Sequence, residues 1–238
     1  MTPKVVETQL RTFVDTMVGN GLALSSNPVV SWREGENTMV SWSKTASLSA
    51  TFGRFACIDE YTTFLDNRDY SLVLQDGALL QFSYTFKAND LVGHRLCHYP
   101  CPISIADLDA DDGSIVEWIE ALSGEELRSR LRLRTPLRLD FDPKAAKANH
   151  PATHFTISED TCRIPVAAPI SLAHFVGLVF EHFYPSAWAT YSFLREVAHH
   201  HWDDTVGQLE ANRVFVGWRR HAIPASTEVS AASGRSKK

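Results

Sequence analysis

Along residues 131–141 the chain alternates, with Leu131, Leu133, Leu137, Leu139 and Phe141 on odd positions and Arg132, Arg134, Arg138 and Asp140 on even ones. A period of two marks a strand with one buried face and one polar face. Residues 152–158 repeat the pattern, setting Phe155 and Ile157 against His154, Thr156 and Ser158. Between them, residues 143–151 carry two prolines and an asparagine, which predicts an antiparallel hairpin with a long loop. If both strands bury their apolar faces on one core, then Arg138, Asp140, Asp142, His154 and Thr156 share the opposite face, close enough for side chains to touch.

The rest of the chain supplies partners for that hairpin. Val5, Val6, Leu10, Phe13, Val14 and Met17 recur at helical spacing, so residues 3–18 read as an amphipathic helix ended by Gly19-Asn20-Gly21. Two short strands around Glu34-Gly35-Glu36-Asn37 predict a hairpin within residues 28–42. Residues 41–51 read as loop, and residues 57–65 as a short helix. The clearest hairpin signal spans residues 70–86, where Asp76-Gly77 is a turn pair expected to place both residues at positive φ. Residues 91–98 extend this meander until Pro100 and Pro102 stop it. Residues 106–113 hold four aspartates, and helices follow at residues 114–122 and 125–130. The aspartate spacing resembles a calcium loop but lacks its closing glutamate, so an acidic helix N-terminus is the better reading. Residues 163–166 read as a third strand, and Ser171 as the N-cap of an apolar helix over residues 172–183. Residues 187–198 are expected to form another helix, and VFVGW within residues 206–219 a final strand. This adds up to an α+β fold: one domain over residues 1–223, an antiparallel sheet built from hairpins and packed against helices, then a disordered tail over residues 224–238.

Composition narrows the function classes. A net charge of −5 confines any nucleic-acid contact to a local patch. The N-terminus lacks a signal-peptide pattern, and no apolar run approaches the roughly 18 residues that span a bilayer. Four cysteines in 238 residues do not make a disulfide scaffold, so a cytoplasmic protein with reduced thiols and no membrane partner is expected. Phosphate-loop, dinucleotide and serine-hydrolase motifs are absent from the sequence.

Candidate chemistry gathers on the central hairpin. Asp140 and Asp142 could hold a divalent metal, magnesium or manganese, because residues two apart on a strand face the same way. His150 or His154 could move protons in a small RNA-cleaving site, with Arg138 stabilising the phosphorane. Arg132, Arg134, Arg138 and Arg163 could hold phosphates, giving a nucleic-acid or nucleotide partner. The plain alternative is a structural ion-pair network. Cys97 and Cys101, interleaved with His94 and His98, form one irregular pair, so zinc is the lesser expectation and buried thiols the better one. His199-His200-His201, taken as helical, cannot aim three rings at one metal.

RLCHYPCPI at residues 95–103, TPLRLDFDP at 135–143, HPATHFTI at 150–157 and CRIPVAAPISLAHFVGLVFEHFYP at 162–185 together resemble an uncharacterised bacterial family known only as a domain of unknown function. The resemblance covers residues 60–185 and implies a prokaryotic, soluble protein without assigning an activity. The Asp140/Asp142 strand followed by His154 is also similar to the metal-binding strands of archaeo-eukaryotic primases, which would imply carboxylates on metal and histidine on phosphate, although the glycine-rich approach to that histidine is missing. Two functions are therefore expected as competitors. One is a nuclease or other phosphodiester enzyme of a toxin or phage-defence unit. The other is a non-catalytic subunit docking to a protein partner through late aromatics such as Trp188, Tyr191, Trp202 and Trp218.

Overall fold

Thr2 accepts the Val5 N–H and Pro3 sits in the first turn, where its missing amide hydrogen costs nothing, so helix α1 (Pro3–Gly19) starts there. Its buried residues, Val6, Leu10, Phe13, Val14 and Met17, form one stripe that lies on the sheet. The computed structural model describes residues 1–44, 58–108, 114–132, 134–157, 161–208, 210 and 212–218.

The described strands form one antiparallel sheet: β1 (Ala23–Ser26), β2 (Val30–Glu34), β3 (Asn37–Ser41), β4 (Leu72–Leu74), β5 (Leu79–Lys87), β6 (Asp90–Tyr99), β7 (Leu137–Phe141), β8 (Thr153–Ile157) and β9 (Arg163–Pro165). Their main path runs β1-β4-β5-β6-β7-β8-β9. Strand β5 is the spine: β4 pairs with its first residues, β3 of the β2–β3 hairpin with its last ones, and β6 runs along its other edge. Five further helices complete the described fold: α2 (Ile58–Asp66), α3 (Ile115–Ala121), α4 (Gly124–Arg130), α5 (Leu172–Phe183) and α6 (Pro185–Thr190). The α+β class read from the sequence is what the structure has.

Each sheet face has its own core. Phe82, Leu96, Leu139 and Phe155 lie in register across β5–β8 and pack beneath α1 and α5. Val73, Leu79, Tyr99 and Cys97 face the other way and pack with Tyr61 and Phe64 of α2 and Ile119 of α3. That second core covers only part of its face. The remainder is polar.

Four local expectations are corrected. The 70–86 hairpin closes on a three-residue loop, with Gly77 N–H donating to the Leu74 carbonyl and only Gly77, not Asp76, at positive φ (80°). Strand β7 begins at Leu137 rather than Leu131, because Pro136 has no amide hydrogen and restrains Thr135. Leu131 instead makes a single bridge to Ile103. The helix expected over residues 187–198 stops at Thr190, where Tyr191 leaves helical geometry (φ −105°, ψ 104°), and a 3₁₀ turn at Ser192–Leu194 follows. Thr190, Tyr191 and Ser192 are weak helix formers, and nothing there sustains the ladder. VFVGW pairs through one residue only, Val216 opposite Val166 in a parallel bridge, while Val214 is 87% exposed. Beyond Val166, Pro165 has no N–H to carry a ladder on. Part of the 41–51 loop, residues 109–113 of the acidic run and the 224–238 tail lie outside the described residues.

Candidate functional site

Antiparallel register turns sequence spacing into a surface. Asp140 lies opposite Arg95 of β6 and His154 of β8, and Arg95 lies opposite Ser83 of β5. Two residues along, Arg138 lies opposite Cys97 and Thr156, and Thr156 opposite Arg163 of β9. Directly paired residues project to the same side. Two adjacent rows therefore cross one face: Ser83, Arg95, Asp140, His154, and then Gln81, Cys97, Arg138, Thr156, Arg163. The alternation of β7 and β8 predicted the Asp140–His154 pair. Arg95 was missed, since only register joins it to Asp140, although the strand pattern of β6 puts it on the face of Cys97.

The rows are buried and strongly coupled. Asp140 is 5% exposed and His154 1%. Arg95 Nε–H donates to Asp140 Oδ1 at 2.8 Å, and Arg138 Nε–H donates to Oδ2 at 2.6 Å. His154 Nδ1–H donates to the Pro151 carbonyl (2.9 Å), which turns Nε2 toward Asp140 Oδ2, 3.5 Å away. Burial alone would raise the Asp140 carboxyl. The His154 contact and the guanidinium charges of Arg95 and Arg138 overcome it and hold the carboxyl well below the usual carboxylate range. A carboxylate with a guanidinium on each oxygen is poorly placed to take a divalent cation, which would meet both positive charges at short range.

Asp142 and His150 sit at the solvent end of the same unit. Asp142 is exposed, and its Oδ1 accepts the Lys144 and Ala145 N–H groups (3.1 and 3.2 Å), closing the turn after β7. The His150 ring stands edge-on to His154, centroids 4.7 Å apart. Burial, with the His154 ring and Arg163 beside it, lowers the His150 pKa against the opposing pull of Asp142. Thr156 Oγ1 and Arg163 Nε are both buried without a hydrogen-bond partner.

The remaining candidates are dispersed. With β7 starting at Leu137, Arg132 is exposed and its N–H donates to the Pro102 carbonyl, while Arg134 pairs with Asp76 at 3.1 Å. The arginines do not form one stripe. Cys97 and Cys101 are buried free thiols of the second core, and burial pushes the Cys97 thiol up to about 12. Residues 199–201 lie outside any helix, and His199 and His201 both lie against His174, with centroids 4.9 and 5.5 Å away, while His200 contacts Gln9. Among the described residues, no three His, Cys, Asp or Glu side chains are arranged to hold a metal ion. Trp188, Tyr191, Trp202 and Trp218 are partly buried against the α1–α5 core. No helix of the described residues is long and apolar enough to cross a membrane.

Fold and site together define an α+β protein on an open antiparallel sheet, with a buried Arg-Asp-His cluster on the face away from α1 and α5. The chain belongs to the family described as an uncharacterized conserved protein, DUF2290, whose model matches residues 22–218. No curated protein and no solved structure matches it.

Proposed function

We propose that this protein is a metal-independent phosphodiester enzyme acting on RNA, a chemistry suited to the effector of a toxin or phage-defence unit. The observation that carries the reading is Arg163: its buried Nε has no partner, and it neighbours both His150 and the equally unpartnered Thr156 hydroxyl. A phosphate oxygen would satisfy these donors, and a guanidinium binds phosphate through parallel N–H groups. His150 is half-buried, and its lowered pKa keeps the ring neutral near pH 7, as a proton acceptor needs.

In the proposed step His150 removes the proton of a ribose 2′-hydroxyl, and the 2′-oxygen attacks the adjacent phosphorus. The bond from phosphorus to the 5′-oxygen breaks, leaving a 2′,3′-cyclic phosphate, and the 5′-oxygen takes a proton from water. Arg163 holds the equatorial oxygens as charge develops. Arg95, Arg138, Asp140 and His154 are positioning residues that fix β8 and the His150 loop.

The test incubates wild type, His150→Ala and Arg163→Ala with single-stranded RNA and with DNA of the same sequence, with and without EDTA. Cleavage of RNA alone, insensitive to EDTA and lowered about 100-fold or more in both variants, is expected. Equal activity in all three proteins, or none in any, overturns the reading. In that case the competing docking function keeps one structural support, the exposed Val214, Phe215 and Val216.

A further inference from the structure

A second polar chain lies on the α5 side of the sheet, remote in register from Asp140. Tyr184 must donate its hydroxyl to Asp76 (3.2 and 3.3 Å to the two oxygens), because a carboxylate only accepts. The Tyr184 oxygen therefore accepts from His98 Nε2, 3.1 Å away. This assigns the imidazole proton to Nε2 and leaves Nδ1 a bare acceptor. His98 is 3% exposed, its Nδ1 has no partner, and burial pushes its pKa down to about 4, so the ring is neutral. Arg134 closes the chain on the far side of Asp76 and cancels its charge.

This chain lines a cavity of about 390 Å³ with Pro100, Leu137 and Phe183 as apolar walls and His98, Arg134 and Thr135 as polar ones. Phe183, half exposed at the end of α5, lies over the His98 ring with centroids 5.3 Å apart. Such a site is apolar with a few convergent polar groups, the usual make-up of a small-molecule pocket.

The wall chemistry selects the ligand. One unsatisfied acceptor, His98 Nδ1, calls for an N–H, and the Arg134 guanidinium calls for a ring nitrogen or carbonyl. Charge balance at Arg134 and Asp76 favours a neutral molecule, since an anion would face the Asp76 carboxylate. We propose that this cavity binds a small planar heteroaromatic of the nucleobase type, its N–H edge on His98 and its acceptor edge on Arg134, sandwiched by Phe183 and Leu137.

Saturation-transfer NMR and thermal shift with hypoxanthine, guanosine and benzoate test this on wild type, Arg134→Ala, Thr135→Trp and His150→Ala. Thr135 is exposed, so the bulky replacement fills the cavity mouth without entering the core. The expected result is binding of hypoxanthine or guanosine but not benzoate, weakened at least about tenfold in Arg134→Ala and Thr135→Trp and unchanged in His150→Ala. Failure of both bases to bind overturns the proposal, as does stronger binding of benzoate or base binding indifferent to Thr135→Trp. A loss confined to His150→Ala would move the base to the RNA site and overturn it as well.

Discussion

Asp140 shows how far a single buried charge constrains its neighbours. It is the acceptor for two guanidinium Nε–H groups, one of them on Arg138, which is itself buried. Asp140→Ala would leave those cations without their counter-ion, and breaking a buried pair from one side costs about 3–5 kcal/mol. Urea denaturation should show that loss, and Asp140→Asn should recover part of it. A change below about 1 kcal/mol would mean that the network is not coupled as its geometry implies. Gly77 is constrained by shape instead. At φ 80° it sits where a Cβ would lie 2.9 Å from Tyr61 Oη and 3.1 Å from Cys101 Cβ. Gly77→Ala should cost roughly 2 kcal/mol or more, read as a lowered denaturation midpoint, because strain and overlap act together. The opposition of Asp140 and His154 was legible because alternation on two strands joined by one loop fixes which side chains meet. Arg95 and the Asp76–Tyr184–His98 chain were not, since their members are far apart in sequence and only the register of β6 and the docking of α5 unite them.

Among the elements, those whose start and stop are written locally matched expectation, and those defined by periodicity alone overran. Helix α5 carries its own punctuation: Ser171 accepts the His174 N–H at 3.3 Å, and Tyr184-Pro185 ends the apolar run. The chain entering it is also held from the sheet, where Ile170 N–H donates to His94 Nε2 at 2.9 Å. The Ser171 hydroxyl also meets His174 Nδ1 at 2.8 Å, so Ser171→Ala removes a buried cap with two partners. The expected cost is about 1–2 kcal/mol by chemical denaturation, whereas Ser171→Asn, which can still cap, should cost less. Strand β7 teaches the opposite lesson. Leu131 and Leu133 continue its alternation in sequence, yet Pro136 outranks the pattern and delivers Arg134 to Asp76 instead of to Arg138.

For the molecule as a whole, the arrangement of neutral imidazoles decides how stability responds to acid. His94 accepts a backbone N–H at Nε2, and His98 donates from Nε2 beneath Phe183; burial pushes both rings from their ordinary 6.5 down to about 4. Above pH 6.5 neither the folded nor the unfolded chain protonates them, and their contribution is complete. As pH falls from 6.5 toward 4, the unfolded chain takes up protons that the native one refuses, so stability drops, by roughly 3 kcal/mol apiece at most. Below about 4 the native rings titrate too and the loss levels off. Asp140 acts later: its carboxyl is held below the ordinary 3.8, so its stabilisation begins to go only as pH falls toward 3.8, where the unfolded chain takes up the proton, and is spent once the native carboxyl titrates well below that. Urea midpoints measured from pH 7.5 to 4.5 should therefore fall continuously through a range in which no buried carboxylate of the cluster changes charge. Replacing His98 by Asn should reduce that slope by about one proton, since the variant has no ring to protonate in either state. A flat profile would mean that the two rings are not held neutral. Acid lability in this fold would then be led by the Arg95–Asp140–Arg138 network, with its onset as pH falls toward 3.8.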